Sequence, residues 1–350
     1  LPSNRDIAQG RGCAAIATEY LDGIGYEVNS DDEIVKISLD ELNDIYAKLH
    51  EAYPDKEVYR PGTGSMNQFS NVDALGGNVF GVLLDYGQNL DVVNLFESDF
   101  YKDYCARLYD YNQKGYISAD ASTDTTAVGE LVKAGTLMSY TTGGKPGIKA
   151  QETTLTGRDM TIFQTLDDYI GSTSVAGMPW TIPISAQHKE AAMKFLNECY
   201  SNADVANLLA WGIEGTHYKI GDDGLATYAD GVDASNSGWN HSMGWMMPNQ
   251  FLTHVWEGND PDLWDKMRDF NNNAKVSKAS GFSFDSTNVA NEITAVQNVY
   301  NEYQTSVEYG FVDPETGIAE MNDKMMAAGL QKIIDEKAAQ LAAWQEANKK

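Results

Sequence analysis

The sequence predicts an α/β protein built as two lobes. Its 350 residues exceed what one ordinary hydrophobic core organises. Strand-like and helix-like segments alternate along it, the pattern of an α/β architecture. Hydrophobic residues make up 42% and charged residues 22%, the balance of a soluble globular chain. No apolar run approaches the length needed to span a bilayer.

The elements can be justified in order. Ser38-Leu39-Asp40-Glu41 carries a capping-box signature and opens a helix with Leu42, Ile45, Tyr46 and Leu49, stopped by Pro54. The Gly- and Asn-rich stretch 62–77 reads as loop. Residues 79–86 and 92–96 read as two strands joined through Gly87-Gln88-Asn89 as a hairpin. Ser98 caps a helix with Tyr101, Tyr104, Cys105, Leu108 and Tyr111 at packing positions, closed by Gly115. A helix at about 126–133 leads to a strand at 136–141.

The second half reads in the same way. Residues 180–184 form a strand that must end or lie at an edge, because Pro183 cannot donate a ladder hydrogen bond. Ser185 caps a helix over 188–200, with Ala191, Ala192, Phe195, Leu196 and Cys199 on one side. Gly212 and Gly215 bracket a tight loop. Residues 221–240 read as loop with one short strand, and 262–271 as a short helix. From Thr287 to Gly310 the pattern is helical. Asp313-Pro314-Glu315-Thr316-Gly317 is a turn, and a last helix runs over about 321–348, interrupted at Gly329.

Charge excludes one class of partner. With 51 acidic and 25 basic residues, the net charge of −26 repels nucleic acid, and no basic cluster offsets it. Cys13, Cys105 and Cys199 are widely spaced and form no C-x-x-C pair. Buried free thiols explain Cys105 and Cys199, while one disulfide with an odd thiol is the alternative. The start, Leu1-Pro2-Ser3-Asn4-Arg5, lacks a charged region followed by an apolar one and reads as a processed or trimmed chain.

Catalytic signatures are missing. There is no phosphate-loop motif, no H-E-x-x-H helix and no G-x-S-x-G elbow. His50, His188, His217, His241 and His254 show no metal-ligand spacing, so no metal or other cofactor is expected. Gly62-Thr63-Gly64-Ser65 reads as an ordinary loop before it reads as a phosphate cradle. A glycosidase needs two opposed carboxylates, and nothing singles out such a pair.

Aromatic residues are the better lead. Of seven tryptophans, Trp211, Trp239, Trp245, Trp256 and Trp264 fall in one stretch, and the run from Trp239 to Phe251 is dense in rings and amides. Sugar rings pack their C–H faces on aromatic faces while their hydroxyls seek amide, carboxylate and guanidinium partners. Core or lobe packing competes with ligand stacking for Trp239, Trp245, Trp256 and Trp264. Tyr101, Tyr104, Tyr111 and Trp344 are read as packing residues. Lys145, in G-G-K-P-G, is a weaker polar candidate that a turn role would also explain.

A family resemblance rests on three consecutive segments. They are AGMPWTIPIS from Ala176 to Ser185, HKEAAMKFLNECY from His188 to Tyr200, and the run ending in WGIEGTHY from Trp211 to Tyr218. This order resembles the extracellular solute-binding proteins of ABC importers, in the lipoprotein branch linked to oligosaccharide uptake. Trp245, Asn249, Gln250 and Phe251 are similar to another stretch of that family, and Leu1 to Gly12 resembles the segment where its chain first crosses between lobes.

The resemblance implies a two-lobed periplasmic-binding-protein-like fold, with one lobe lacking its usual N-terminal part. It places residues 1–177 and 286–350 in a larger lobe and 178–285 in the remaining part of the other. It also implies no enzymatic activity. The protein would be a monomeric, extracellular receptor of a Gram-positive bacterium, closing around an oligosaccharide in the inter-lobe cleft and docking on permease subunits. A lipid anchor would lie outside this chain, since Cys13 lacks the setting for one. The expected ligand contacts are Arg5, Asp6, Gln9, Tyr86, Gln88, Trp180, Trp211, Glu214, Trp239, Trp245 and Gln250. Hinge salt bridges are the competing role for Arg5, Asp6 and Gln9. A peptide or other polar solute, a carbohydrate-active enzyme, and a scaffold without ligand stay open as alternatives.

Overall fold

A computed structural model describes residues 1–28, 33–62, 64–233, 235–239 and 244–349. His241 and Thr63, which enter the motif readings above, lie outside the described residues. The chain folds as two compact units. The smaller holds residues 1–8, 145–147 and 174–273; the larger holds 9–144, 148–173 and 274–350. The sequence expectation drew its lobe boundaries at 177/178 and 285/286; the compact units change over at 8/9, 144/145, 147/148, 173/174 and 273/274.

The strands, in chain order, are β1 (Gln9–Ala17), β2 (Val35–Lys36), β3 (Glu57–Arg60), β4 (Leu137–Gly144), β5 (Met160–Gln164), β6 (Asp168–Ile170), β7 (Tyr218–Ile220), β8 (Ala226–Tyr228) and β9 (Lys275–Val276). The larger unit contains a seven-stranded mixed sheet in the order β2-β5-β1-β4-β3, with β6 paired to both β1 and β9. β1 is central, and Cys13, Ala14, Ala15, Ile16 and Ala17 are all fully buried. Small residues on a strand covered on both faces give a continuous apolar run without alternation.

Helices cover the sheet where their caps predicted them. Ser38 accepts a hydrogen bond from the Glu41 amide at 3.0 Å and starts the Leu39–Ala52 helix. Ser98 does the same for the Tyr101 amide at 3.2 Å and starts Asp99–Gln113, whose Tyr101, Tyr104 and Tyr111 are buried as expected. The expected helix and strand near 126–141 form as Val128–Ala134 and β4, and the helix near 262 as Leu263–Asn273.

Four expectations are corrected. No hairpin forms over 79–96; the stretch makes only the isolated bridges Asp73↔Leu83 and Val82↔Val93. Gly81 at φ 88°, and Asp85, Tyr86 and Gly87 at φ 48°, 55° and 66°, break the extended backbone that strands need. The strand at 180–184 does not form either, and a single bridge, Pro2↔Pro179, stands in its place. The following helix begins at Lys189, with His188 rather than Ser185 at its N-cap. The turn at 313–317 is instead a helix start. Asp313 accepts from the Thr316 amide at 3.1 Å and Pro314 occupies the first turn of the Pro314–Ala327 helix, where its missing N–H costs nothing. Gly329, at φ 110°, separates it from the Leu330–Ala347 helix.

The larger unit's core is aromatic. Phe80 is fully buried and meets Tyr300 edge-on at 5.8 Å, and Phe96 stands edge-on to Tyr101 at 5.1 Å. Beside them lies the buried Glu308 carboxyl, which accepts from Tyr300 at 2.6 Å, Tyr101 at 3.1 Å and Gln304 at 3.1 Å. All three cysteines are free and buried. Burial raises each thiol's pKa, that of Cys13 to about 12. No helix among the described residues is long and apolar enough to cross a membrane.

Candidate functional site

In the smaller unit, one group of candidates assembles around the first eight residues. Arg5 Nη1 donates to the Asp6 carbonyl at 2.6 Å and stands 3.6 Å from Asp6 Oδ1, while Lys145 Nζ meets Asp6 Oδ2 at 3.2 Å. Asp6 is thus bracketed by two cations. The backbone here is held by Asn271, whose Oδ1 accepts from Ile7 and Ala8 amides at 3.0 Å each and whose Nδ2 donates to the Arg5 carbonyl at 2.9 Å. Sequence reasoning missed Asn271, because an amide serving a distant backbone carries no local signature.

A second group lies against the same opening segment. Asn4 and the Pro248–Gln250 segment bond through Asn4 N to Pro248 O at 2.7 Å and Gln250 N to Asn4 O at 2.9 Å. Asn249 spends its side chain on structure, donating to Tyr200 O at 2.8 Å and accepting from Asn4 Nδ2 at 3.1 Å. Gln250 Oε1 is buried without a hydrogen-bond partner among the described residues. Trp180 anchors here too, its indole N–H donating to Met246 O at 3.0 Å. The neighbouring Trp245 sits on a short 3-10 turn, Gly244–Met246, with its side chain 38% exposed.

The third group surrounds the WGIEG turn. Gly212 adopts φ 86° and ψ −144°, a conformation open essentially to glycine alone. A Cβ there would also meet His217 Nδ1 at 2.7 Å. That nitrogen accepts from the Ile213 amide at 2.8 Å, so glycine and histidine together fix the turn and leave Glu214 at its exposed tip. Trp239 lies 5.8 Å from the His217 ring and is 40% exposed. Trp211 differs. It is 7% exposed, packs on Trp256 at 4.9 Å and donates to His254 O at 3.1 Å, so its ring is committed to the core rather than presented to solvent.

The remaining candidates belong to the larger unit. Gln9 is the exposed first residue of β1, opposite Tyr169. Tyr86 is buried; its hydroxyl accepts from the Asp167 amide at 3.0 Å, and Lys275 Nζ sits 4.8 Å above its ring. Gln88 donates to Val276 O at 2.9 Å. Both side chains therefore tie β9 and the approach to β6 to the 85–88 turn. Arg11, unsuspected in the sequence though flanked by two glycines, lies 5.4 Å over the Tyr169 ring and donates to Asn67 O, with its Nε buried and unpaired. Burial lowers its pKa.

Chemically, the smaller unit presents two half-exposed indoles, a carboxylate at a turn tip and a charged Arg–Asp–Lys cluster. That set suits a ligand with apolar faces and many hydroxyls. Among the described residues, no group of three His, Cys, Asp or Glu side chains is placed to hold a metal ion.

Residues 278–346 match a family described as a domain of unknown function (DUF3502). Over 306 residues the chain is 26% identical to a carbohydrate ABC transporter substrate-binding protein of Streptococcus pneumoniae, covering 85% of this chain and 61% of that protein. The chain thus spans about three fifths of the length of the curated relative it matches. Among solved structures, an N-glycan transport solute-binding protein of the same species superposes with a TM-score of 0.83 at 22% identity, over 99% of this chain and 75% of that one. The same protein in complex with Man5GlcNAc gives 0.75 at 22% identity, over 100% and 76%. The fold is that of the solute-binding proteins, as the resemblance of the WGIEGTHY region implied, and the sequence is related to a carbohydrate ABC transporter substrate-binding protein.

Proposed function

We propose that the chain is the ligand-capturing component of an ABC importer, binding an oligosaccharide and handing it to a membrane permease. The observation that carries this reading is its relation, along most of its length, to a carbohydrate transporter's substrate-binding protein. The exposed indoles of Trp239 and Trp245 support it. Stacking on those rings would provide the sugar's apolar contacts. Glu214, Gln250 and the Arg5–Asp6–Lys145 cluster would take hydroxyls. Trp180 and Trp211 would hold the smaller unit's turns in place.

In this reading each compact unit corresponds to one lobe of the family's fold. Closure would be favoured only by contacts that differ between open and closed states. The protein would be monomeric and extracellular, on the surface of a Gram-positive cell, with a lipid anchor outside this chain. It would release its ligand chemically unchanged. The test is thermal shift of the purified chain against a panel of neutral and acidic glycans, followed by chromatography of each mixture. Stabilisation by one glycan class with intact recovery supports the proposal. A shortened product would instead mean an enzyme, and the absence of any shift across the panel would turn attention to peptides and other polar solutes.

A further inference from the structure

Lys337 lies on the Leu330–Ala347 helix of the larger unit and is fully buried. Its ammonium stands 2.9 Å from Gly81 O, 2.9 Å from Asn78 O, 3.0 Å from Asn78 Oδ1 and 3.1 Å from Ala74 O. The Phe284 ring caps it at 5.4 Å. Four neutral oxygens from one eight-residue loop therefore converge on one positive charge. An ammonium has three N–H bonds, so four acceptors form a coordination shell rather than a set of one-to-one hydrogen bonds.

The loop is shaped for this. Leu75, Gly76, Gly77 and Gly81 all have positive φ, at 55°, 117°, 114° and 88°. Leu75 is a residue that rarely adopts such a conformation, and the strain marks a backbone held in place by its surroundings. Gly81 also lets the loop close on the helix, since a Cβ there would meet Ile334 Cα at 3.3 Å. Burial pushes the ammonium's pKa down, to about 7, with Asp73 opposing from longer range. The oxygen shell replaces part of the lost hydration.

We propose that residues 74–81 form a monovalent-cation site whose cation is supplied by the chain itself, the Lys337 ammonium. The distances fit an ion of ammonium or potassium size. Calcium and magnesium draw oxygens to roughly 2.0–2.6 Å and favour carboxylates, which this shell lacks. Backbone carbonyls replacing a hydration shell are the ligands a potassium-sized ion takes. The site has a structural reach as well. Asp73, next to the cage, accepts from the Leu75 amide at 3.0 Å, from Ser172 Oγ at 2.7 Å and from the Ser172 amide at 2.9 Å. Ser172 lies two residues before the chain leaves the larger unit. Seating the cation therefore also fixes the segment leading to that crossing.

The test removes the tethered charge and returns it from solution. Lys337→Ala deletes four heavy atoms, the same four that n-propylammonium would restore. Melting is followed at constant ionic strength in the chlorides of potassium, ammonium, n-propylammonium and tetramethylammonium. The unmodified protein should melt alike in all four. Lys337→Ala should melt lower by about 5 °C or more in tetramethylammonium. It should regain at least half of that loss in n-propylammonium and part of it in ammonium or potassium, with slowed hydrogen exchange at the Ser172 amide. Lys337→Met, which keeps the stem without the charge, should melt low in every salt. Equal melting of Lys337→Ala in all salts, or Lys337→Met melting with the unmodified protein, would overturn the proposal. Should Lys337→Ala fail to fold in tetramethylammonium, its refolding yield is compared between that salt and n-propylammonium, and no gain in the latter overturns it equally.

Discussion

The two units spend their apolar residues differently. In the larger, a seven-stranded sheet and its helices enclose a continuous aromatic core, and Leu155 and Val276 are the large apolar side chains it leaves exposed among the described residues. Among the described residues, the smaller has the β7–β8 pair as its sheet and small separate clusters around Trp211 and Leu225. It leaves Ile184, Phe195, Leu208, Ile213, Trp239 and Trp245 exposed. A side chain left exposed buries little apolar area and so contributes little to stability. Substitutions in the larger unit should therefore register as lost stability, and those on exposed rings of the smaller unit as lost binding.

The sharpest way to break this contrast is at Phe80, which is fully buried. Phe80→Ala should cost about 3–5 kcal/mol in urea unfolding, through lost transfer energy and the cavity left behind. Trp245→Ala should change stability by only about 0.5 kcal/mol. In the proposed receptor it should weaken glycan affinity about tenfold, read by calorimetry. A Trp245→Ala variant that melted as low as Phe80→Ala would erase the distinction between the units. Asp313→Ala tests a helix end of the larger unit and should cost about 1 kcal/mol through the lost cap on the Thr316 amide.

The smallest effect concerns pH. Burial raises the Glu308 carboxyl above its ordinary value of 4.5, although Tyr300, Gln304 and Tyr101 donate to it. Because the folded state holds this proton more tightly than the unfolded one, the associated stability is present below pH 4.5 and is lost as pH rises through the folded value. Glu308→Gln carries no such dependence. It should gain on the unmodified protein as pH is raised from 4 to 8, in paired melting curves, with no gain at the acid end.

What the sequence made legible follows the same division. Helices announced by Ser38 and Ser98 formed as read, because caps and apolar spacing are local signals. β1 escaped notice because a central strand filled with alanines shows no alternation. The 79–96 stretch looked like a hairpin by composition, and only backbone angles at Gly81 and at Asp85–Gly87 reveal otherwise. Asp313-Pro314 serves a turn and a helix start equally well, and the choice depends on what the following residues pack against. Tryptophans posed the hardest case. Trp211 and Trp239 are the same residue in similar company, yet one is enclosed by Trp256 and the other faces solvent. The role of Asn271 and Arg11 depends on chain segments far apart in sequence, which no local pattern encodes.

The burial of Cys13, Cys105 and Cys199, with all three thiols held mostly protonated near neutral pH, has a practical consequence. Thiolate is the species that reacts with maleimides, so the native protein should be nearly silent to such reagents. A cysteine introduced at an exposed position such as Asn236, close before Trp239 in the chain, would then be the dominant labelling point without removing any native cysteine. In the proposed receptor, an environment-sensitive dye at that position would act as an optical sensor, reporting occupancy of the neighbouring indole surface in real time.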